Sequence, residues 1–265
     1  ISYVQSLSKS ENSYIKLATM DIDGDGVFTD TDRFGLGINI FTHVDNFQYA
    51  FEISLTERDA NGLPYISIEM DKMQSALEKI NSILNDSGDC YLSNQARLPE
   101  GMFEGDRVLF MTSPLGDAAI YRAMDSDFGI IPYPKWNTNQ KQYHTYALDR
   151  ASTLLVPITV QDKEFAGIII EAMAAESYRT VIPAFYETAL KDKFSRDNES
   201  QHMIDIIIEN VSFDFGNIYT NIFGDVGIGH LFRTCVNNKS NDYASLYASK
   251  EIKFNEVLAE FILNF

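Results

Sequence analysis

Residues 21–32 read Asp-Ile-Asp-Gly-Asp-Gly-Val-Phe-Thr-Asp-Thr-Asp. Calcium is a hard cation that gathers roughly six to eight oxygens, and a twelve-residue loop supplies them from alternate positions with glycine at the sharp turn. Here those positions are Asp21, Asp23, Asp25, the backbone carbonyl of Val27, Thr29 and Asp32, and Gly26 stands at the turn. The last ligand position carries aspartate where glutamate is usual, and the residues after it alternate like a strand. A structural Ca2+ clip is therefore expected rather than a sensor with a second helix. The other outcome is a metal-free turn, held by aspartate side chains that accept backbone N–H groups.

No other pattern carries chemistry as directly. His43, His144, His202 and His230 lack metal-ligand spacing. There is no Gly-x-Ser-x-Gly elbow, no phosphate-binding glycine loop and no dinucleotide glycine run. With 38 acids a carboxylate pair for glycoside hydrolysis can always be drawn, and a solvated acidic surface is the preferred reading. No catalytic residue is assigned, and the expectation is a binding protein, not an enzyme.

Composition narrows the partners. The 265 residues are 45% hydrophobic and 22% charged, which is ordinary for a folded chain. A net charge of −17 repels phosphate backbones and anionic membrane surfaces, so nucleic acid is a poor partner and none is expected. No apolar run approaches the ~18 residues that span a bilayer. Cys90 and Cys235 make neither a disulfide framework nor a zinc site, and two separate buried thiols are expected.

The elements that must position these residues follow from periodicity. A short helix is expected at 12–20, a strand at 33–40 and a helix at 43–53. Phe51–Arg58 and Leu63–Ile68 flank Asn61-Gly62, a hairpin signal. Met73, Leu77, Ile80 and Leu84 recur at helical spacing over Asp71–Asn85. Strands are expected at 107–111, 128–131 and 151–158. Helices are expected at 162–175, 178–191 (with Pro183 as a possible interruption), 198–209 and, as one long element, 242–265. Strands interleaved with helices give an α/β class.

Three stretches together resemble the family 1 extracellular solute-binding proteins of ABC importers. The first is Met102-Phe103-Glu104-Gly105-Asp106-Arg107-Val108-Leu109-Phe110. The second is Asp127-Phe128-Gly129-Ile130-Ile131-Pro132-Tyr133-Pro134-Lys135. The third is Ser152–Ser177, a strand and an alanine-bearing helix. The acidic stretch and Phe232-Arg233-Thr234 fit as well. The resemblance implies a type II periplasmic-binding-protein-like α/β fold, with one lobe largely complete plus a partial second lobe. Residues 1–140 and 190–265 would form the C-terminal-type lobe, and 141–189 a returning segment of the first. The chain opens at Ile1 rather than methionine, and the resemblance places the opening part of the first lobe, with its signal and lipid anchor, ahead of it.

The same resemblance implies ligand-contacting loops at a cleft edge. It points to His43 and Asn46 after the strand at 33–40, Thr112 and Ser113 after the strand at 107–111, and Asn221 and Phe223 ahead of the C-terminal helices. Trp136, the only tryptophan, either stacks on a ligand or packs at a hinge, and Tyr143 and Tyr146 carry the same two options. The implied function is capture of a sugar or oligosaccharide by hinge closure, outside the cell and anchored as a lipoprotein, with delivery by a monomer to a membrane permease. The alternative is a secreted calcium-stabilised carbohydrate-binding or carbohydrate-active module.

Overall fold

The computed structural model describes residues 9–41, 43–95, 97–147, 154–186 and 198–264. In chain order the elements are α1 (Lys9–Ala18), β1 (Phe34–Asn39), α2 (Asp45–Ala50), β2 (Thr56–Arg58), β3 (Pro64–Ile66), α3 (Met70–Leu84), β4 (Cys90–Ser93), α4 (Leu98–Glu104) and β5 (Val108–Met111). They continue with α5 (Ala118–Tyr121), β6 (Thr145–Tyr146), α6 (Lys163–Glu176), α7 (Asn198–Glu209), β7 (Val211–Ser212), α8 (Phe215–Ile218), α9 (Leu231–Asn237), α10 (Tyr243–Ala248) and α11 (Glu251–Leu263). The chain divides into two compact units. One is Ile1–Ser113 with Pro132–Asp149 and Ile207–Phe265, and the other is Pro114–Ile131 with Arg150–Ile206. No helix among the described residues is long and apolar enough to cross a membrane.

The first unit is built on a parallel sheet of order β4-β1-β5, with Leu36 opposite Cys90 and Phe34 opposite Val108. Parallel neighbours need a crossover between them, and α3 supplies it from β1 to β4. The strand β1 explains its own burial. Phe34, Leu36 and Ile38 are buried and share one face by the two-residue period. Gly35 and Gly37 leave the other face bare; the backbone of α1 fills it at Gly35, and the side chains of Val108 and Pro99 fill it at Gly37. A Cβ on Gly35 would lie 2.2 Å from the Ile15 carbonyl oxygen. Only glycine permits that approach.

The core of this unit gathers Ile38, Phe51, Leu77, Ile80, Phe232 and Phe254, all almost fully buried. The predicted helical stripe of α3 is correct, since Met73, Leu77, Ile80 and Leu84 all face that core. The hairpin also forms as expected, with β2 and β3 antiparallel. Gly62 takes φ 82°, and Asp59 Oδ1 accepts the N–H groups of Asn61 and Leu63. Cys90 and Cys235 are free and buried. Burial pushes the Cys90 thiol up to about 12 and that of Cys235 to about 11.

The second unit contains α5, α6 and α7 as far as Ile206. Tyr121 is buried and meets Phe128 edge to face at 6.2 Å, while the Ile130 N–H donates to Ser200 Oγ at 2.9 Å. The helix α6 is capped by Asp162, which accepts the Phe165 N–H at 2.8 Å. None of its residues is buried, and Phe165, Ile168, Ile169 and Met173 are exposed.

Several expectations are corrected. Residues 128–131 form no strand; the segment runs straight into Pro132 and Pro134, whose nitrogens have no proton to give a ladder. Residues 154–158 form no strand either, and 151–153 lie outside the described residues. The segment after α6 stays helical through Tyr186, with a widened π turn at Ser177–Val181 just ahead of Pro183, and 187–191 lie outside the described residues. The expected long C-terminal helix is two, α10 and α11, broken where Ser249 Oγ donates back to the Leu246 carbonyl at 2.7 Å. The edge strand β4 was not expected at all.

Candidate functional site

A parallel sheet delivers all its strand ends to one edge, and ligands of open α/β sheets bind there. The chain leaves β1 through Ile40–Val44 and leaves β5 through Thr112 and Ser113, so these loops meet. His43 is 6% exposed, and its Nδ1 lies 3.0 Å from Thr112 Oγ1. The His43 carbonyl accepts a hydrogen bond from the Tyr133 hydroxyl at 3.2 Å. That hydroxyl in turn accepts from Asn46 Nδ2 at 3.1 Å. Thr112, His43, Tyr133 and Asn46 thus form one connected polar chain. Burial raises the Tyr133 phenol well above its ordinary value, against the lowering effect of the Asn46 and Thr112 hydrogen bonds, so it stays a neutral donor and acceptor.

The loop after β1 is braced from behind. Arg233 Nε meets buried Asp45 Oδ2 at 3.1 Å, and Arg233 Nη1 donates to the Phe41 carbonyl. Its guanidinium carbon also lies 5.3 Å from the centroid of the Phe41 ring, which is 58% exposed. A flat apolar ring on a braced loop, beside a chain of neutral donors and acceptors, is chemistry suited to a polyhydroxylated ring. Ser113 is half-buried at the same strand end.

The remaining expected ligand residues lie elsewhere in the first unit. Trp136 packs on Phe51 at 5.3 Å, with Lys79 Nζ 4.5 Å from its ring centroid. Tyr143 carries Lys135 Nζ 4.7 Å from its ring centroid. Tyr146 stacks on Tyr49 at 4.7 Å and 15°, and its hydroxyl donates to Asn217 Oδ1 at 2.8 Å. Asn221 is exposed in the short turn Thr220–Phe223. Phe223 is 3% exposed and meets Phe254 edge to face, so its ring belongs to the core. Of the expected set, the structure joins His43 to Thr112 directly and Asn46 to His43 through the Tyr133 hydroxyl. It adds Phe41 and Asp45 from the same loop after β1 that the resemblance points to, and Tyr133 and Arg233 from outside the expected loops. Tyr133 and Arg233 lie within motifs that carry the family resemblance, which was the one signal for them.

The acidic loop is closed by paired N–H···O bonds between Met20 and Arg33, each 3.0 Å. Gly24 and Gly26 take φ 73° and 79°. Asp21 accepts the N–H groups of Gly24 and Gly26 at 2.7 and 2.9 Å. Carboxylate oxygens of Asp21, Asp23 and Asp25 lie within 4.8 Å of one another, the spacing that a single cation needs. Val27 donates its N–H to Asp25 Oδ1 at 2.7 Å. Asp32 lies outside that trio. It is buried and accepts the N–H groups of Ile22 and Thr29, both at 2.8 Å, and these donors, Thr29 foremost, hold its carboxyl below the ordinary range. At Asp23 the Asp25 N–H pulls downward, but burial and the charges of Asp25 and Asp32 outweigh it and the carboxyl is raised.

No protein-family model and no curated protein matches the sequence. Solved structures do match in fold. The maltose/maltodextrin-binding domain MalE from Bdellovibrio bacteriovorus, bound to maltotriose, aligns with 99% of this chain and 68% of its own, at TM-score 0.59 and 14% identity. The Thermus thermophilus maltotriose-binding protein, bound with maltotriose, aligns with 98% and 67%, at TM-score 0.58 and 13% identity. A cyclo/maltodextrin-binding protein complexed with maltotetraose aligns with 99% and 66%, at TM-score 0.56 and 12% identity. The fold of the chain is accordingly α/β and type II periplasmic-binding-protein-like, and it spans about two thirds of each of these structures.

Proposed function

We propose that the chain is the larger part of an extracellular solute-binding protein that captures a sugar or short oligosaccharide for an ABC permease. The observation that carries this reading is the hydrogen-bonded chain of Thr112, His43, Tyr133 and Asn46 at the strand-end edge, with the exposed Phe41 ring on the same loop as His43. The ring offers its face to the C–H surface of a pyranose, and the polar chain offers directional partners for hydroxyls. The ligands held by the structures of like fold make maltooligosaccharides the first probes.

In this reading further polypeptide, belonging to the first lobe, completes the cleft. Hinge closure then buries the sugar, excludes water and creates the form that docks on the permease. The protein acts as a monomer held at the cell surface by a lipid anchor. The loop at 21–32 serves as a structural calcium clip, with Asp21, Asp23 and Asp25 as carboxylate ligands, the Val27 carbonyl as a further oxygen and Asp32 shaping the turn.

Titration calorimetry of the chain with maltose, maltotriose and maltotetraose tests the reading. Weak saturable binding is expected, weakened at least tenfold by Thr112→Val and by Phe41→Ala. A longer form of the protein should bind more tightly. Absence of binding to every sugar, or hydrolysis of any of them, would overturn it.

A further inference from the structure

We infer that the depression around Trp136 is a second carbohydrate site, separate from the strand-end edge. The helix α2 lies between them. It begins at Asp45, next to the strand-end loops, and runs six residues toward Phe51 and Glu52, roughly 9 Å at 1.5 Å per residue. At that far end Glu52, Asp71, Lys72, Ser75, Trp136 and Asn139 surround a depression of about 500 Å³, a size suited to one or two sugar rings.

The Trp136 ring that lines it is held in place. Trp136 packs on Phe51, its backbone N–H donates to Gln140 Oε1 at 2.7 Å, and its carbonyl accepts from Lys79 Nζ at 3.0 Å. Gln140 is itself locked, with Nε2 donating to the carbonyls of Ala50 and Gln142, both at 2.8 Å. The loop from Trp136 to Gln140 therefore keeps its shape before any ligand arrives. Around it the exposed side chains of Asp71, Ser75 and Asn139 make no hydrogen bond to a described residue. A carboxylate that accepts, a hydroxyl and an amide that do both, and an indole in the same lining are complementary to a neutral polyol.

The charges select against the alternatives. An anion would face Glu52, Glu69 and Asp71 in a chain of net charge −17. A cation would find Lys79 Nζ already 4.5 Å from the indole centroid and Lys72 Nζ at the rim, 3.1 Å from the Glu52 carbonyl. Like charge so close weakens any second cation–π contact, which leaves a cation only the carboxylates of Glu52, Glu69 and Asp71 and not the indole. A neutral sugar meets no repulsion and can use the indole as well as the polar groups.

Because Trp136 is the only tryptophan, its emission reports on this depression. The chain is titrated with maltotriose, cellobiose and chitobiose, and emission is followed. A saturable change with at least one sugar is expected. The Asp71→Asn, Asn139→Ala double variant should weaken it at least tenfold with an unaltered circular-dichroism melt. Thr112→Val should leave it intact even where calorimetry shows that variant to have lost the strand-end site. An unresponsive emission with all three sugars overturns the inference. So does a response undiminished in the double variant, a response abolished by Thr112→Val, or an equal response to tetramethylammonium or inorganic phosphate.

Discussion

The Tyr133 hydroxyl donates to the His43 carbonyl at 3.2 Å and accepts from Asn46 Nδ2 at 3.1 Å, tying the segment that follows the second unit's first stretch to the loop after β1. A phenylalanine keeps the ring and its edge-to-face contact with Phe47 while removing both bonds. Tyr133→Phe should therefore cost about 1–3 kcal/mol, because two buried polar groups lose a partner. Urea unfolding measures the loss. Sugar affinity should fall with it, since the loop that carries Asn46 loses its tether.

Gly35→Ala places a methyl group against the Ile15 backbone, with the closest approach 2.2 Å. Backbone cannot rotate away as a side-chain tip can, so α1 must shift off the sheet. The expected cost is about 1–3 kcal/mol. A chemical melt checks it, and Gly116→Ala, which meets nothing within 4 Å, is the control that should stay near wild type.

The acidic loop gives a crossed prediction. The Asp23 carboxyl is raised, so its charge is a burden to the fold at neutral pH. Asp23→Asn should raise the melting temperature in chelator and lose the rise that millimolar calcium gives the parent chain. A melt of the parent chain indifferent to calcium would dismiss the clip.

Acid should act in the opposite sense through Asp32, Asp59 and Asp242. Their carboxyls lie below the ordinary value of 3.8, held chiefly by the N–H groups of Thr29, Leu63 and Ser245 respectively. A depressed folded-state value means that the stabilisation is fully present above the unfolded value and is lost as pH falls through the folded one. The urea midpoint should hold steady above about pH 5 and decline below about pH 4. Asp59→Asn should flatten part of that decline.

What the sequence disclosed depended on how local each signal was. The helix α3 repeats its apolar residues over fifteen positions, and the hairpin has Asn61-Gly62 at its turn, so both are self-contained. The strand β4 offers only Cys-Tyr-Leu-Ser, too short for alternation to speak, and is extended because β1 lies alongside it. The runs at 128–131 and 154–158 have the composition of strands but no ladder among the described residues. At the site, His43 and Thr112 follow strands and could be placed by the resemblance. The bond from Asn46 to Tyr133 joins residues 87 positions apart, and no pattern along the chain encodes it.

The bare apolar side chains of α6 bear on how this molecule behaves in a tube. Phe165, Ile168, Ile169 and Met173 invite one molecule to cling to the next, while the surplus of acidic groups pushes molecules apart. Only the second force is screened by electrolyte. Raising the ionic strength should therefore turn a well-dispersed sample turbid, and a serine in place of Ile168 should widen the range of salt in which it stays clear.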